Sequence, residues 1–512
     1  MRAVQLVPAG AILVALAAIG GVAQLDHPAA PRQAASATVT QQVAVTSAAR
    51  ACPPAPGSGS VPVTLLGGRA GAGPPGQGDH IDLTALPPAG LTLKGASPVR
   101  AQSPGTVSLL TLPAGTVTGK KSGPVAQGWS VTGSGSMAQA MEAELADTTG
   151  MATVRCGAPG SDLWFVGPGQ QNGASKIQLD LMNVDSLAAS VDVSVITDAG
   201  QSQAGNDTGI TVPPHQTVTE SLSSVASGSS VVAIEVHTSI GRVAADVSES
   251  SSSGGTPSWL PSTAAPSTKL VIPGVPPSGS AAGLFVADPG DSSAKVTVTA
   301  ITPQQNFQPF GQQSVDLPGQ SASYVALSPL GGTTAALEIT SDVPVVAGVV
   351  VPGSDATEAT ATAAATAATA PTGTAATAPI SQQAAIAGNT SGSGLSASVV
   401  LSAPGAAARA RLTEIAPASG GSGSVTGSQV VSVKAGRTLV EAVAAPHGAR
   451  HGAAFAVVIT PLAGSGPLYA ARLETHGQHA VVSIIPAASA LTTISLPPVR
   501  DSYDAINPPG ST

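Results

Sequence analysis

The chain has 512 residues, of which 42% are hydrophobic, 2% aromatic and 9% charged, with 59 Gly, 44 Pro and a formal net charge of −8. A charged fraction so far below the ~25% of an ordinary soluble domain excludes long salt-bridged helical bundles. The acidic balance, without a basic stripe, excludes nucleic acid as a partner.

The length allows about three or four domains. Arg2 precedes 23 uncharged residues, 3–25, which as a helix would cross the ~30 Å hydrocarbon core of a membrane. Residues 1–25 are therefore expected to be a signal peptide or a membrane anchor. Gly21-Val22-Ala23 offers a small-residue cleavage site, so both readings stay open. The positive-inside rule places the remainder outside the cytoplasm, tethered to the cell membrane by this one segment or secreted. Residues 26–50 read as a linker.

Cys52 and Cys156 are the only cysteines. In an oxidising compartment an even pair is expected to form a disulfide, with two buried free thiols as the alternative. The bridge would close a loop of about 100 residues, worth up to ~4–5 kcal/mol by chain entropy. It would bracket an N-terminal module, 51–160, with strand-like 61–66, 106–112 and 127–132 and a helical run at 137–147. Within it, Gly71-Ala72-Gly73-Pro74-Pro75-Gly76 has dinucleotide-loop spacing, but Pro74, Pro75 and Gly78 oppose the helix that must follow, and the stretch reads as a loop.

The rest of the chain repeats itself. Laying 161–250 over 267–353 at an offset of 105 matches Pro168-Gly169 with Pro273-Gly274, Ala189-Ser190-Val191 with Ala294-Lys295-Val296 and Leu222 with Leu327. At an offset of 103, Ile234-Glu235-Val236 then meets Leu337-Glu338-Ile339. A degenerate third copy, 381–480, aligns Ala403-Pro404-Gly405 with Asp288-Pro289-Gly290 and Val458-Ile459-Thr460 with Glu338-Ile339-Thr340. Linkers are placed at 251–267 and at the Ala/Thr-rich 354–380, and a C-terminal strand and tail at 481–512.

Within each copy the period is two: Val193 and Val298 fall on an inward face, Asp192 and Thr297 on an outward one. The second copy shows seven short runs, at 269–272, 283–287, 295–301, 313–317, 322–327, 335–340 and 345–351. The fold class expected is all-β. It comprises about three tandem immunoglobulin-like β-sandwich repeats of ~105 residues after a disulfide-closed N-terminal module, with a large-bladed β-propeller as the alternative.

Sites of chemistry are sparse. His447 and His451 lie four apart and His476 and His479 three apart, but glycines interrupt both pairs, and they read as solvated loop residues. His237 falls on a polar strand face. Asp198, Asn206 and Asp207 lack the acidic partner a calcium loop needs. No Gly-x-Ser-x-Gly elbow occurs. Trp164 and Trp259 sit at module junctions and read as wedges between modules rather than as sugar platforms. No catalytic, metal or cofactor-binding residue is assigned, no cofactor is expected, and the chain is read as not an enzyme.

The junction from Cys156 through Trp164-Phe165-Val166 to Gly169 resembles an actinobacterial family of exported proteins, the domain-of-unknown-function family 5719. Trp259-Leu260-Pro261 before Leu270-Val271-Ile272-Pro273-Gly274 and the closing Ile494-Ser495-Leu496-Pro497-Pro498-Val499 share the resemblance. It implies an envelope-associated, repeat-built protein and a connection with neighbouring cell-wall glycosyltransferase functions, and supplies no catalytic residue. The expected role is non-catalytic binding or scaffolding in the cell envelope, with an envelope protein or a cell-wall glycan as partner. The alternative is an accessory subunit of an envelope glycosyltransferase or other envelope enzyme, which clustered polar residues at module junctions would support.

Overall fold

The computed structural model describes residues 41–496, apart from 353–370 and shorter stretches such as 69–75, 147–152, 171–174, 203–207 and 252–256. Residues 1–25, expected to be a signal peptide or membrane anchor, lie outside the described residues, as does most of the Ala/Thr-rich tract. Residues 41–43 and 494–496 belong to a small separate unit of two-stranded character. Residues 44–493 form one compact body.

The described residues form strands and one 3-10 turn, Gly135–Ala138, with no α-helix among them. Period-two apolar residues of both parities produce four two-sheet sandwiches. Taking strands one to eight in chain order, the first sandwich runs Ser47–Cys52, Val61–Gly67, His80–Leu86, Val99–Ala101, Thr106–Leu112, Gly128–Ser134, Glu142–Ala146 and Thr153–Arg155. One sheet has the order 1-6-3-4 and the other 5-2-7-8.

The same pairing recurs in each of the others. The second sandwich uses Asp162–Pro168, Ser175–Met182, Ala189–Thr197, Ile210–Val212, Thr217–Ser221, Val231–Ile240, Ala244–Ser251 and Ser258–Leu260. The third uses Ser267–Val275, Gly283–Asp288, Ala294–Ile301, Val315–Leu317, Ser321–Ala326, Ala335–Val351 and Thr372–Ala375. Its long Ala335–Val351 serves as sixth and seventh strand, crossing between sheets around Pro344. The fourth uses Gln383–Asn389, Leu395–Ala403, Ala408–Pro417, Ser424–Val433, Arg437–Val443, Phe455–Pro461, Tyr469–His476 and Ala480–Pro486.

Equivalent in-facing pairs on strands three and six fill the cores: Leu83↔Val131, Val193↔Val236, Val298↔Ile339 and Leu412↔Ile459. Asp192 and Thr297 stand half-buried on the opposite face. The strand order is not that of an antibody constant domain, where strands six and seven share a sheet. Here they lie in opposite sheets in every copy.

Each sandwich buries its outer faces as well. The 1-6-3-4 sheet of one packs on the 5-2-7-8 sheet of the next. Ala51 and Leu86 of the first meet Met182, Val184 and Ala244. Trp164, Val166 and Val231 of the second meet Phe285, Ala287 and Val346. Val271, Ile301 and Ala336 of the third meet Tyr469. Ala385, Ile415 and Val458 of the fourth return to Leu66 and Val107 of the first. The four sandwiches thus close a ring.

Three local expectations are corrected. The run 137–147 is not helical: after the 3-10 turn, Glu142–Ala146 is a strand, with Ala143 and Leu145 in the core and Glu142 and Glu144 buried on its other face. Residues 258–263, placed in the 251–267 linker, form the eighth strand and a short strand, Ser262–Thr263, that pairs back to the first strand. Residues 481–490, set apart in the C-terminal strand and tail, complete the fourth sandwich in the same way. In the first sandwich this return is the Ala51↔Gly157 bridge, and beside it the Sγ atoms of Cys52 and Cys156 are bonded at 1.98 Å.

Candidate functional site

The eighth strands converge. Thr153–Arg155, Ser258–Leu260, the start of Thr372–Ala375 and Ala480–Pro486 border one cavity of about 270 Å³, to which all four sandwiches contribute. An eighth strand is the edge of its sheet, and an open edge would invite further pairing. Pro257 and Pro261 flank the second of these strands, Pro371 precedes the third and Pro486 ends the fourth. Proline offers no N–H to extend a ladder, so these edges stop at the cavity. Neighbouring edges are stitched by side chains: Thr153 Oγ1 lies 2.7 Å from Ser483 Oγ, and Ile484 N donates to Thr372 Oγ1 at 3.0 Å.

Two charge clusters lie beside the cavity, one through Arg155 and Asp246 in its wall and one through the partners of Thr153 and Ser483. Along Ser175–Met182 and Ala244–Ser251, Leu179, Leu181, Ala245 and Val247 turn into the core, which places Asp180 and Asp246, paired in register, on the outer face. Asp180 is 1% exposed and its Oδ1 accepts hydrogen bonds from Thr219 Oγ1 at 2.6 Å and Gln178 Nε2 at 3.4 Å. Burial pushes the Asp180 carboxyl up to about 6 despite those bonds. Asp246, 7% exposed, is held well above the usual carboxylate range by burial and then by Asp180, with Arg155 opposing. Its Oδ2 has no hydrogen-bond partner. Arg155 Nη2 donates to Glu142 Oε2 at 2.5 Å, while its Nε is unpartnered.

The second cluster joins the fourth sandwich to the first. Arg472 is fully buried, its Nη1 2.5 Å from Glu144 Oε1 and its Nε 3.7 Å from Glu474 Oε2. Its Nη1 also donates to Gly388 O, and its Nη2 to Thr153 Oγ1 and Ser483 Oγ, at 2.7–2.8 Å. Glu144 Oε2 accepts from Gly388 N at 2.9 Å and Glu474 Oε1 from Thr390 N at 2.7 Å. Burial raises the Glu144 carboxyl, with Arg472 opposing. These groups hold and orient; the Arg472 fork reaches the cavity wall through Thr153 and Ser483.

The residues singled out in the sequence are scattered. His447 and His451 are exposed, His476 is half-buried at a strand end, and His479 lies outside the described residues. His237 is exposed. Asp198 Oδ2 accepts from Ser230 N and Oγ at 3.0 and 2.5 Å; Asn206, Asp207 and 71–75 are outside the described residues. No group of three or more His, Cys, Asp or Glu side chains able to hold a metal occurs among the described residues. Trp164 packs in the seam between second and third sandwiches. Trp259 packs against the first core and also lines the cavity.

Sequence reasoning passed over Arg155, Asp180, Asp246, Glu144, Arg472 and Glu474. A usable signal existed for Arg472 and Glu474: each is a charge inside a strand whose neighbours are largely apolar on both parities, as in Leu468-Tyr469-Ala470-Ala471-Arg472-Leu473-Glu474. A strand apolar on both faces is buried on both, and a charge within it needs a partner.

A family model described as a family of unknown function, DUF5719, matches residues 99–444. The match starts at the fourth strand of the first sandwich and ends just past the fifth strand of the fourth. No curated protein and no solved structure matches the chain.

Proposed function

The chain belongs to the DUF5719 family, and we propose that it is an exported, non-catalytic binding or scaffolding protein of the cell envelope, tethered through its N-terminal segment or released from it. The carrying observation is the closed ring: four sandwiches bury both faces of their sheets against one another, which makes one rigid body rather than a string of independent modules. Its geometry would be costly to deform, because every seam is packed with apolar side chains and the one between fourth and first sandwiches also holds a buried ion cluster. We read the four as copies of one eight-stranded β-sandwich repeat, the N-terminal disulfide-bearing module included. The bonded cysteines accord with an oxidising compartment.

A second reading has specific support. Polar groups from different sandwiches cluster at the seams, as Arg472 with Glu144 and Asp246 beside Arg155 do, and this favours an accessory subunit of an envelope glycosyltransferase or other envelope enzyme.

Affinity capture of the intact chain from native membranes, with an alkaline carbonate wash, tests both. Retention in the washed membranes with an envelope protein or glycan in the eluate supports the first reading. Co-purification of a glycosyltransferase activity lost with the chain supports the second. A chain made without N-terminal processing and found wholly in the cytoplasm would overturn the envelope assignment.

A further inference from the structure

We propose that the outer edge of the fourth sandwich takes an added β-strand from an acidic, extended segment of a partner protein. This deepens the binding reading above and rests on it. Strand four is the edge of each 1-6-3-4 sheet, and in the first three sandwiches it is only three residues long: Val99–Ala101, Ile210–Val212 and Val315–Leu317. In the second and third, the two-residue strands Gly200–Gln201 and Asn306–Phe307 take a further part of the same edge. Short, broken edges resist pairing with other chains. The fourth sandwich departs from this: its strand four, Ser424–Val433, runs ten residues in unbroken register with Ala408–Pro417. It holds no proline, charge or bulge, and among the described residues no strand pairs with its other side.

The ladder shows which groups that side presents. Ala418 N donates to Gly423 O at 3.1 Å, and on the far side of strand three Leu462 N donates to Arg409 O at 2.9 Å. Bonding direction alternates along an antiparallel strand. Val425, Gly427, Gln429, Val431 and Val433 therefore bond to strand three, and Ser424, Thr426, Ser428, Val430 and Ser432 turn their N–H and C=O groups outward. Of these five all but the half-buried Ser424 are exposed. An extended segment laid alongside would pair with these groups, as in β-strand addition.

Charge selects the occupant. Arg409 and Arg411 stand exposed on the outer sheet face opposite Ser432 and Val430, and Lys434 is exposed just past the end of the strand. None of the three has an ion-pair partner among the described residues. Residues 381–490 carry six Lys and Arg against three Glu and no Asp, a net +3 in a chain of net −8. A second copy would bring its own Arg409 and Arg411 to the same face. A strand with carboxylates at every second position would instead set negative charge beside both arginines.

The test uses the purified full chain and blocked, dye-labelled peptides of the same length as the edge. One alternates glutamate with valine, one alternates lysine with valine, and one is the glutamate peptide with proline at its centre. Binding is read by fluorescence anisotropy and by amide hydrogen exchange. The glutamate peptide should saturate, bind at least about tenfold tighter than the other two and slow exchange within residues 424–433. Ser428→Pro removes one outward N–H and no bond to strand three, and should abolish binding. Arg411→Glu leaves the backbone as it is and should weaken the glutamate peptide about tenfold, with edge exchange in the absence of peptide as in the wild type.

No saturation by the glutamate peptide, equal binding of the lysine peptide, or binding indifferent to both variants would each overturn the proposal. So would self-association of the chain that Ser428→Pro abolishes and the glutamate peptide does not displace, which would give the edge to a second copy. The measurement needs no membrane, so its failure leaves the capture experiment untouched. A chain that binds the peptide yet is cytoplasmic would instead overturn the envelope assignment alone.

Discussion

Replacing Arg472 by methionine, of similar length and without charge, tests whether the ring is closed by the ion cluster between fourth and first sandwiches. The guanidinium is fully buried against Glu144 and Glu474, whose side chains are 2% and 1% exposed. Removing it leaves both carboxylates without that cation and takes one donor each from Gly388 O, Thr153 Oγ1 and Ser483 Oγ. Breaking a buried pair by deleting one partner costs about 3–5 kcal/mol, because the remaining charge stays desolvated. That is a large share of a typical stability of about 5–15 kcal/mol. The assay is urea unfolding of the wild type, Arg472→Met, Glu144→Gln and the double variant. Once Arg472 is gone, neutralising Glu144 should restore part of the loss, giving a coupling energy above about 1 kcal/mol. A loss under about 1 kcal/mol for Arg472→Met, or additive effects in the cycle, would refute the claim that the cluster holds the ring.

The Asp180 carboxyl, raised from 3.8 to about 6, means that the folded protein holds a proton which the unfolded chain releases. This group's contribution therefore favours folding least above pH 6: stability should fall by up to about 3 kcal/mol as pH rises from about 4 through about 6. Unfolding curves between pH 4 and pH 8 on the wild type and Asp180→Asn check this, and a slope the variant does not flatten would count against it. A Cβ on Gly348 would lie 2.8 Å from the backbone oxygen of Val166 across the seam between second and third sandwiches, so Gly348→Ala should cost about 1–3 kcal/mol. An unchanged melting temperature would show that this seam is loosely packed. Val193→Ala and Val298→Ala should each destabilise by about 1–3 kcal/mol in thermal unfolding of the full chain, against about 0.5 kcal/mol for Thr297→Ala. Asp192→Ala should cost somewhat more than Thr297→Ala, because Asp192 Oδ1 accepts a hydrogen bond from Gly209 N at 2.7 Å; equal losses at inward and outward positions would contradict the assigned faces.

Alternation decided much of what the sequence could show. Val191, Val193 and Val195 alternate with polar residues, and the seven runs of the second copy fall within or beside the observed strands, because a half-buried strand writes its inward face at every second residue. Self-similarity located the second and third sandwiches, whose strands keep register over long spans, and two cysteines in a chain read as exported pointed to the bond between Cys52 and Cys156.

The one-dimensional pattern withheld every relation that depends on a second buried face. In Val231–Ile240, Val232 and Ile234 fill the core while Val231 and Ala233 fill a seam, so an apolar run carries two partners and names neither. Glu142 and Glu144, inside the run 137–147 expected to be helical, are charges buried in a strand. The first sandwich shares its pairing scheme with the other three but not a recognisable sequence, since a sandwich core specifies apolar volume and parity rather than particular residues. The cavity is the extreme case: Arg155, Asp246, Trp259, Thr377 and Ser483 are separated by up to 328 positions, and only closure of the ring brings their strands to one centre.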